Sequence, residues 1–144
     1  MYKNSEIKIL WFLASLLLCQ SLYADTCPSL KSLKAAPSIT WKAFDSDDGK
    51  ELSLKNTTLF INSIDQFSLA EWVQQGPNKG SVHCYYSDRN GSVIEAYLAK
   101  ANFTPQNAKH YWYQVSGSLH CAAGMDDCLF EPTKATEQPT LATK

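Results

Sequence analysis

The chain is predicted to be mainly β: a small antiparallel β-sandwich or partly open barrel, disulfide-bonded. Three observations lead there. Four cysteines remain once an apolar leader is set aside, short segments alternate apolar and polar residues between turn signals, and an Asn-Gly pair separates two such segments. In a small exported domain, four cysteines read as two bridges, because little surface is buried and an oxidising compartment lets thiols pair. Period-two alternation marks half-buried strands, and several short strands in series suggest a sandwich or barrel.

The leader is placed at 1–24. Lys3 and Lys8 give it a basic start, and 9–19 (ILWFLASLLLC) is an apolar run of 11 residues. A bilayer-spanning helix needs roughly 20 such residues, so the run fits the apolar core of an export signal instead. Cleavage is expected after Ala24, which removes Cys19 and turns five cysteines into four. Leu17 and Leu18 are too bulky for a lipidation motif at Cys19. The expected location is the periplasm, with no stable membrane span after cleavage. The tail, 132–144, lacks aromatics and periodicity and is expected to be disordered. That leaves 25–131 as one β-rich domain. A net charge of −1 offers no footprint for nucleic acid.

Along the domain, 39–44 alternates cleanly, with Ile39, Trp41 and Ala43 against Thr40 and Lys42, and Asp45 to Gly49 follow as a turn. The apolar run 58–62 is expected as a buried strand. Residues 68–73 are two-sided: Ser68 and Glu71 form a helix capping box, yet 76–80 (GPNKG) suits a hairpin loop, and neighbouring strands favour strand. Segments 81–88 and 93–99 form the clearest hairpin. A two-residue type I′ turn at Asn90-Gly91 would set Cys84 opposite Tyr97, Tyr86 opposite Glu95, Tyr85 opposite Ala96 and His83 opposite Leu98. Pro105 is read as the first residue of a short helix. Residues 111–115 alternate again, and 119–122 and 128–131 are expected as closing strands.

Cys27, Cys84, Cys121 and Cys128 admit three pairings. Cys121–Cys128 with Cys27–Cys84 is preferred, because Gly124, Asp126 and Asp127 supply turn chemistry between the last two; Cys84–Cys121 with Cys27–Cys128 is the rival. Zinc would want cysteines two to four residues apart, and the closest pair here is separated by six residues. His83-Cys84 and His120-Cys121 are adjacent, but neighbouring strand residues point to opposite faces. No metal or other cofactor is expected. Asp45 to Glu51 is too short, and its glycine too early, for a calcium loop. Asn56, Asn90 and Asn102 head glycosylation sequons that carry no weight in a bacterial export context. His83, His110 and His120 stand beside no nucleophile motif, and pairing Asp88, Glu95, Asp126 or Asp127 as catalytic carboxylates would be arbitrary. The expectation is a protein that is not an enzyme. Tyr85, Tyr86, Tyr111, Trp112 and Tyr113 are the candidate interaction surface, because tyrosine and tryptophan favour interfaces.

Cys27-Pro28 opening the exported chain, Trp41 after it, Val82-His83-Cys84-Tyr85-Tyr86 at mid-chain and the closing Cys121 and Cys128 resemble small exported proteobacterial proteins. The layout over 27–131 is similar to the EirA family, periplasmic proteins associated with the type IVB (Dot/Icm) secretion system of intracellular bacteria. The resemblance implies a non-catalytic periplasmic protein needed for effector export, with structural cysteines and with envelope or secretion-system proteins as partners. It brings no catalytic residue. A lysozyme-inhibitor-like or glycan-binding β domain is the alternative expectation, and a homo-oligomer is compatible with either.

Overall fold

A computed structural model describes residues 24–36, 40–107 and 110–133. Residues 1–23 of the expected export signal (1–24) and most of the expected disordered tail lie outside the described residues. Among these residues eight strands form: β1 (Lys42–Asp45), β2 (Gln66–Val73), β3 (Val82–Ser87), β4 (Val93–Lys100), β5 (Phe103–Pro105), β6 (Tyr113–Val115), β7 (Ser118–Cys121) and β8 (Phe130–Pro132). Six of them make an antiparallel sheet in the order β1-β4-β3-β2-β7-β6, while β5 and β8 form a second, two-stranded sheet. The architecture is therefore mainly β and open: the large sheet ends in β1 on one side and β6 on the other.

One cross-strand row explains how the core is built. Ala43, Leu98, Cys84, Ala70 and Cys121 stand side by side across five strands, all within 3% of full burial. Cys84 is bonded to Cys27 and Cys121 to Cys128. Ala70 separates the two cysteines in the row, and its small side chain leaves room for both bridges on one face. The same face carries Val82 and Tyr86 at full burial, and the second sheet adds the fully buried Phe130, edge-on to both Trp41 and Phe103. Trp72 ties the two sheets together by donating its indole N–H to the Phe103 carbonyl at 2.7 Å.

Two helices complete the covered face. Helix α1 (Leu30–Ala35) starts at Ser29, whose hydroxyl accepts from the Ser32 N–H, and it buries Leu33. Helix α2 (Leu54–Ser63) is capped in the same way by Ser53 and buries Phe60 and Ile61. It overturns the strand expected at 58–62. A five-residue apolar run suits either period, and the Ser53 cap with Ile64 one turn beyond Phe60 decides for helix. Pro105 ends β5 rather than opening a helix; on a two-stranded sheet its missing N–H can face away from the ladder. Residues 68–73 lie within β2, as favoured.

The central hairpin is out by one position. Cys84 faces Leu98, Tyr85 faces Tyr97 and His83 faces Ala99, with a bulge between Tyr85 and Ser87. The turn and the bulge set it between them: the turn pairs Ser87 with Val93, and the bulge then sets three β4 residues against one of β3 before Tyr85 meets Tyr97. Asp88 accepts from the N–H groups of Asn90 and Ser92 through its carboxylate, and from Gly91 through its carbonyl, while Gly91 takes φ +80° and Asn90 is not left-handed. This is a three-residue loop ending in a glycine bulge, not the two-residue turn that Asn-Gly suggests. The left-handed pair occurs instead at Ser116 (φ +37°) and Gly117 (φ +88°), between β6 and β7.

Candidate recognition face

A one-residue register change moves every side chain to the other face of its strand. In the observed register, the row next to the buried one reads Lys42, Ala99, His83, Glu71, His120 and Tyr113, one residue from each of six strands. A parallel row brings Phe44, Tyr97 and Tyr85 together. These residues form the sheet face opposite the disulfides.

Glu71 is the centre of this face. Its Oε2 accepts from the Tyr85 hydroxyl at 2.8 Å and lies 3.6 Å from His83 Nδ1, and its Oε1 lies 3.6 Å from His120 Nε2. The neighbouring His83 is the main cause that holds the Glu71 pKa down to about 2; burial opposes this, and Tyr85 and Ser118 add to the lowering. Burial raises the Tyr85 phenol well above its ordinary value, and the Glu71 charge raises it further. Burial is also the main cause of the raised Tyr97 pKa.

The His83 ring stacks on Tyr97 at 4.4 Å between centroids, and Phe44 stacks on Tyr97 from the other side at 5.7 Å. Beside this ladder a cleft of about 170 Å³ opens between Lys42, Phe44, Asn78, Ser81, His83 and Tyr97. Ser81 Oγ is 3.0 Å from His83 Nε2, so serine, histidine and glutamate stand in the sequence that hydrolases use. The serine proton is committed elsewhere, however: Oγ donates to the Asn78 carbonyl at 2.6 Å. The Gly80 and Ser81 amides beside it already donate to the Val73 and Asn78 carbonyls, so neither offers a free donor for an oxyanion. The network fixes the imidazole. His83 and Tyr97 are buried, at 6% and 7% exposed, so what the face presents to a ligand is the partly exposed Phe44 and Tyr85, the exposed Tyr113, a partly covered carboxylate and a shallow polar cleft.

The five aromatics proposed as a surface divide between the two sides. Tyr113 and Tyr111 are about half exposed, and Tyr85 borders the Glu71 network. Tyr86 and Trp112 are core residues. Tyr86 is fully buried, edge-on to Phe60 and Phe67, and donates to the Pro28 carbonyl at 2.7 Å; alternation along β3 sends it to the opposite face from Tyr85. Trp112 packs in the same core cluster beneath the exposed Tyr111 and Tyr113, again by alternation. His110 stands apart from the other two histidines, beside Tyr111 and a 90 Å³ cavity that Asp126 and Asp127 also line. Glu71, Ser81 and Phe44 were missed in the sequence. Glu71 belongs to a capping-box pattern on a segment where strand is favoured, and only the pairing of β2 with β3 and β7 shows that two histidines flank it. Among the described residues, no group of three or more His, Cys, Asp or Glu side chains is arranged to hold a metal ion.

Comparison with known proteins finds no matching family model, no matching characterised protein and no matching solved structure.

Proposed function

We propose that this is a non-catalytic recognition domain of the bacterial periplasm, which binds an envelope or secretion-system protein through the sheet face opposite its disulfides. The observation that carries this reading is the Lys42-to-Tyr113 row with its flanking Phe44, Tyr97 and Tyr85: aromatic and polar side chains across six strands, on the face away from the core. Large rings with a polar tip are favoured where one side of a contact is dry and the other wet. The two disulfides suit an oxidising compartment. The resemblance to the EirA family supports a type IVB secretion machine of an intracellular bacterium as the setting.

The test is cross-linking in the native host followed by affinity capture of the wild-type chain and of Tyr113→Ala and Tyr97→Ala variants. A defined envelope complex that the variants lose supports the reading. Absence of any complex, with effector export intact in a deletion strain, overturns it. A second reading, a glycan-binding or lysozyme-inhibitor-like domain, is favoured by the cleft beside the stacked Phe44, Tyr97 and His83 rings. Saturable binding on a glycan array, or lysozyme inhibition lost on Tyr97→Ala, would select it.

A further inference from the structure

The two ends of the large sheet are finished differently. At the β1 end, the segment after the 46–49 turn folds back as a cover: Leu52 donates to the Ala43 carbonyl at 2.8 Å, Asp45 donates to the Lys50 carbonyl at 2.9 Å, and Phe44 bridges to Glu51. Charge surrounds this edge, in the Lys42–Glu51 and Lys50–Asp48 pairs.

At the β6 end neither device is present among the described residues. Alternation along the ladders fixes which backbone groups point outward. Val73 donates to the Ser81 carbonyl, so Val73 and Glu71 face β3, while Trp72 and Ala70 face β7. Leu119 and Cys121 therefore return those bonds, Ser118 and His120 face β6, and their partners Val115 and Tyr113 face back. Gln114 is left with its N–H and C=O directed to the free edge, and neither has a partner among the described residues. From His110 to Met125 the sequence contains no Lys, Arg, Asp or Glu. Tyr113 is 50% exposed and Val115 36% exposed on the side chains flanking Gln114. Edges are ordinarily guarded by charge, proline or a covering segment.

The geometry points to a second copy of this chain as the occupant: two β6 strands pair antiparallel about a two-fold axis through Gln114. Each Gln114 donates its N–H to the other's carbonyl and accepts in return, which satisfies the outward groups of both copies with one operation. The register sets Tyr113 of one protomer opposite Val115 of its partner, an aromatic–β-branched pair made twice. An uncharged edge meets its own copy without like-charge repulsion. Pairing also joins the two Glu71-centred faces side by side, so the contact goes beyond the recognition reading and does not depend on it. Three residues per strand make a small interface, so the dimer is weak and concentration-dependent.

The experiment is sedimentation velocity of the oxidised, exported protein over a concentration series, with Tyr113→Lys, Val115→Glu and the double variant beside it. Circular dichroism and a thiol count confirm that each is folded and oxidised. The wild type is expected to dimerise, each single variant to dimerise on the order of tenfold more weakly because two cross-strand pairs are lost, and the double variant to recover the wild-type association because opposite charges then meet across the two-fold. Rescue depends on this register, so a chance association would not reproduce it. A wild type that stays monomeric into the millimolar range, single variants that associate like wild type, or a double variant no better than the singles would each overturn the proposal. Capture of an envelope protein by the monomeric Val115→Glu variant, whose substitution lies outside the recognition row, would leave the recognition reading standing.

Discussion

Glu71 accepts from a tyrosine and lies between two imidazoles at mid-sheet, and this makes its ionisation part of the fold. Its pKa is depressed in the folded state, so the stabilisation it provides is fully present above the ordinary carboxylate range and is lost as pH falls from about 4.5 towards about 2. Thermal melts should show a falling Tm over that window. Glu71→Gln should remove most of the dependence and cost about 2 kcal/mol at neutral pH, because hydrogen bonds to a charged group are lost. At the fully buried Tyr86, the hydroxyl and the ring separate cleanly. Tyr86→Phe gives up only the bond to the Pro28 carbonyl, about 1 kcal/mol, whereas Tyr86→Ala opens a cavity worth about 3–5 kcal/mol. Urea titrations of the two variants check both figures.

Among the elements, turns decide more than strands do. The Ser116-Gly117 turn holds a serine at φ +37°, a region where asparagine is more at ease. Ser116→Asn should therefore stabilise the β6–β7 hairpin, by about 0.5 kcal/mol, read as a higher urea midpoint with an unchanged slope. Alternation in the sequence locates β1, β3, β4 and β6, and the neighbouring strands correctly turn β2 towards strand. The faces were less legible. Asp88 captures the hairpin loop with its own carboxylate, and the bulge beyond it takes up two further residues of β4, so the net one-position shift brings Tyr97 onto the His83 face. Helix α2 was lost to the ambiguity of a short apolar run, although the Ser53 cap stood in the sequence. The aromatic segments were found, but which of two neighbouring rings faces inward follows from register alone, and so Tyr86 and Trp112 were misplaced.

For the molecule as a whole, the two bridges differ in reach. Cys27–Cys84 closes a separation of 57 residues and fastens the amino-terminal segment to β3, while Cys121–Cys128 closes only 7. On the chain-entropy account, loops of these lengths correspond to about 4 and about 2 kcal/mol. Replacing Cys27 and Cys84 by serine should therefore destabilise the protein more than replacing Cys121 and Cys128, as a comparison of urea midpoints would show. Mass spectrometry of alkylated material from the native host should find all four thiols blocked. The folded-back cover over β1 bears on assembly at a larger scale. A sheet with two bare margins is a monomer for a fibre; one with a single bare margin is a stopper. Lateral growth of the large sheet through β6 consumes the one margin left bare among its described residues, so association through that sheet closes at a pair of chains.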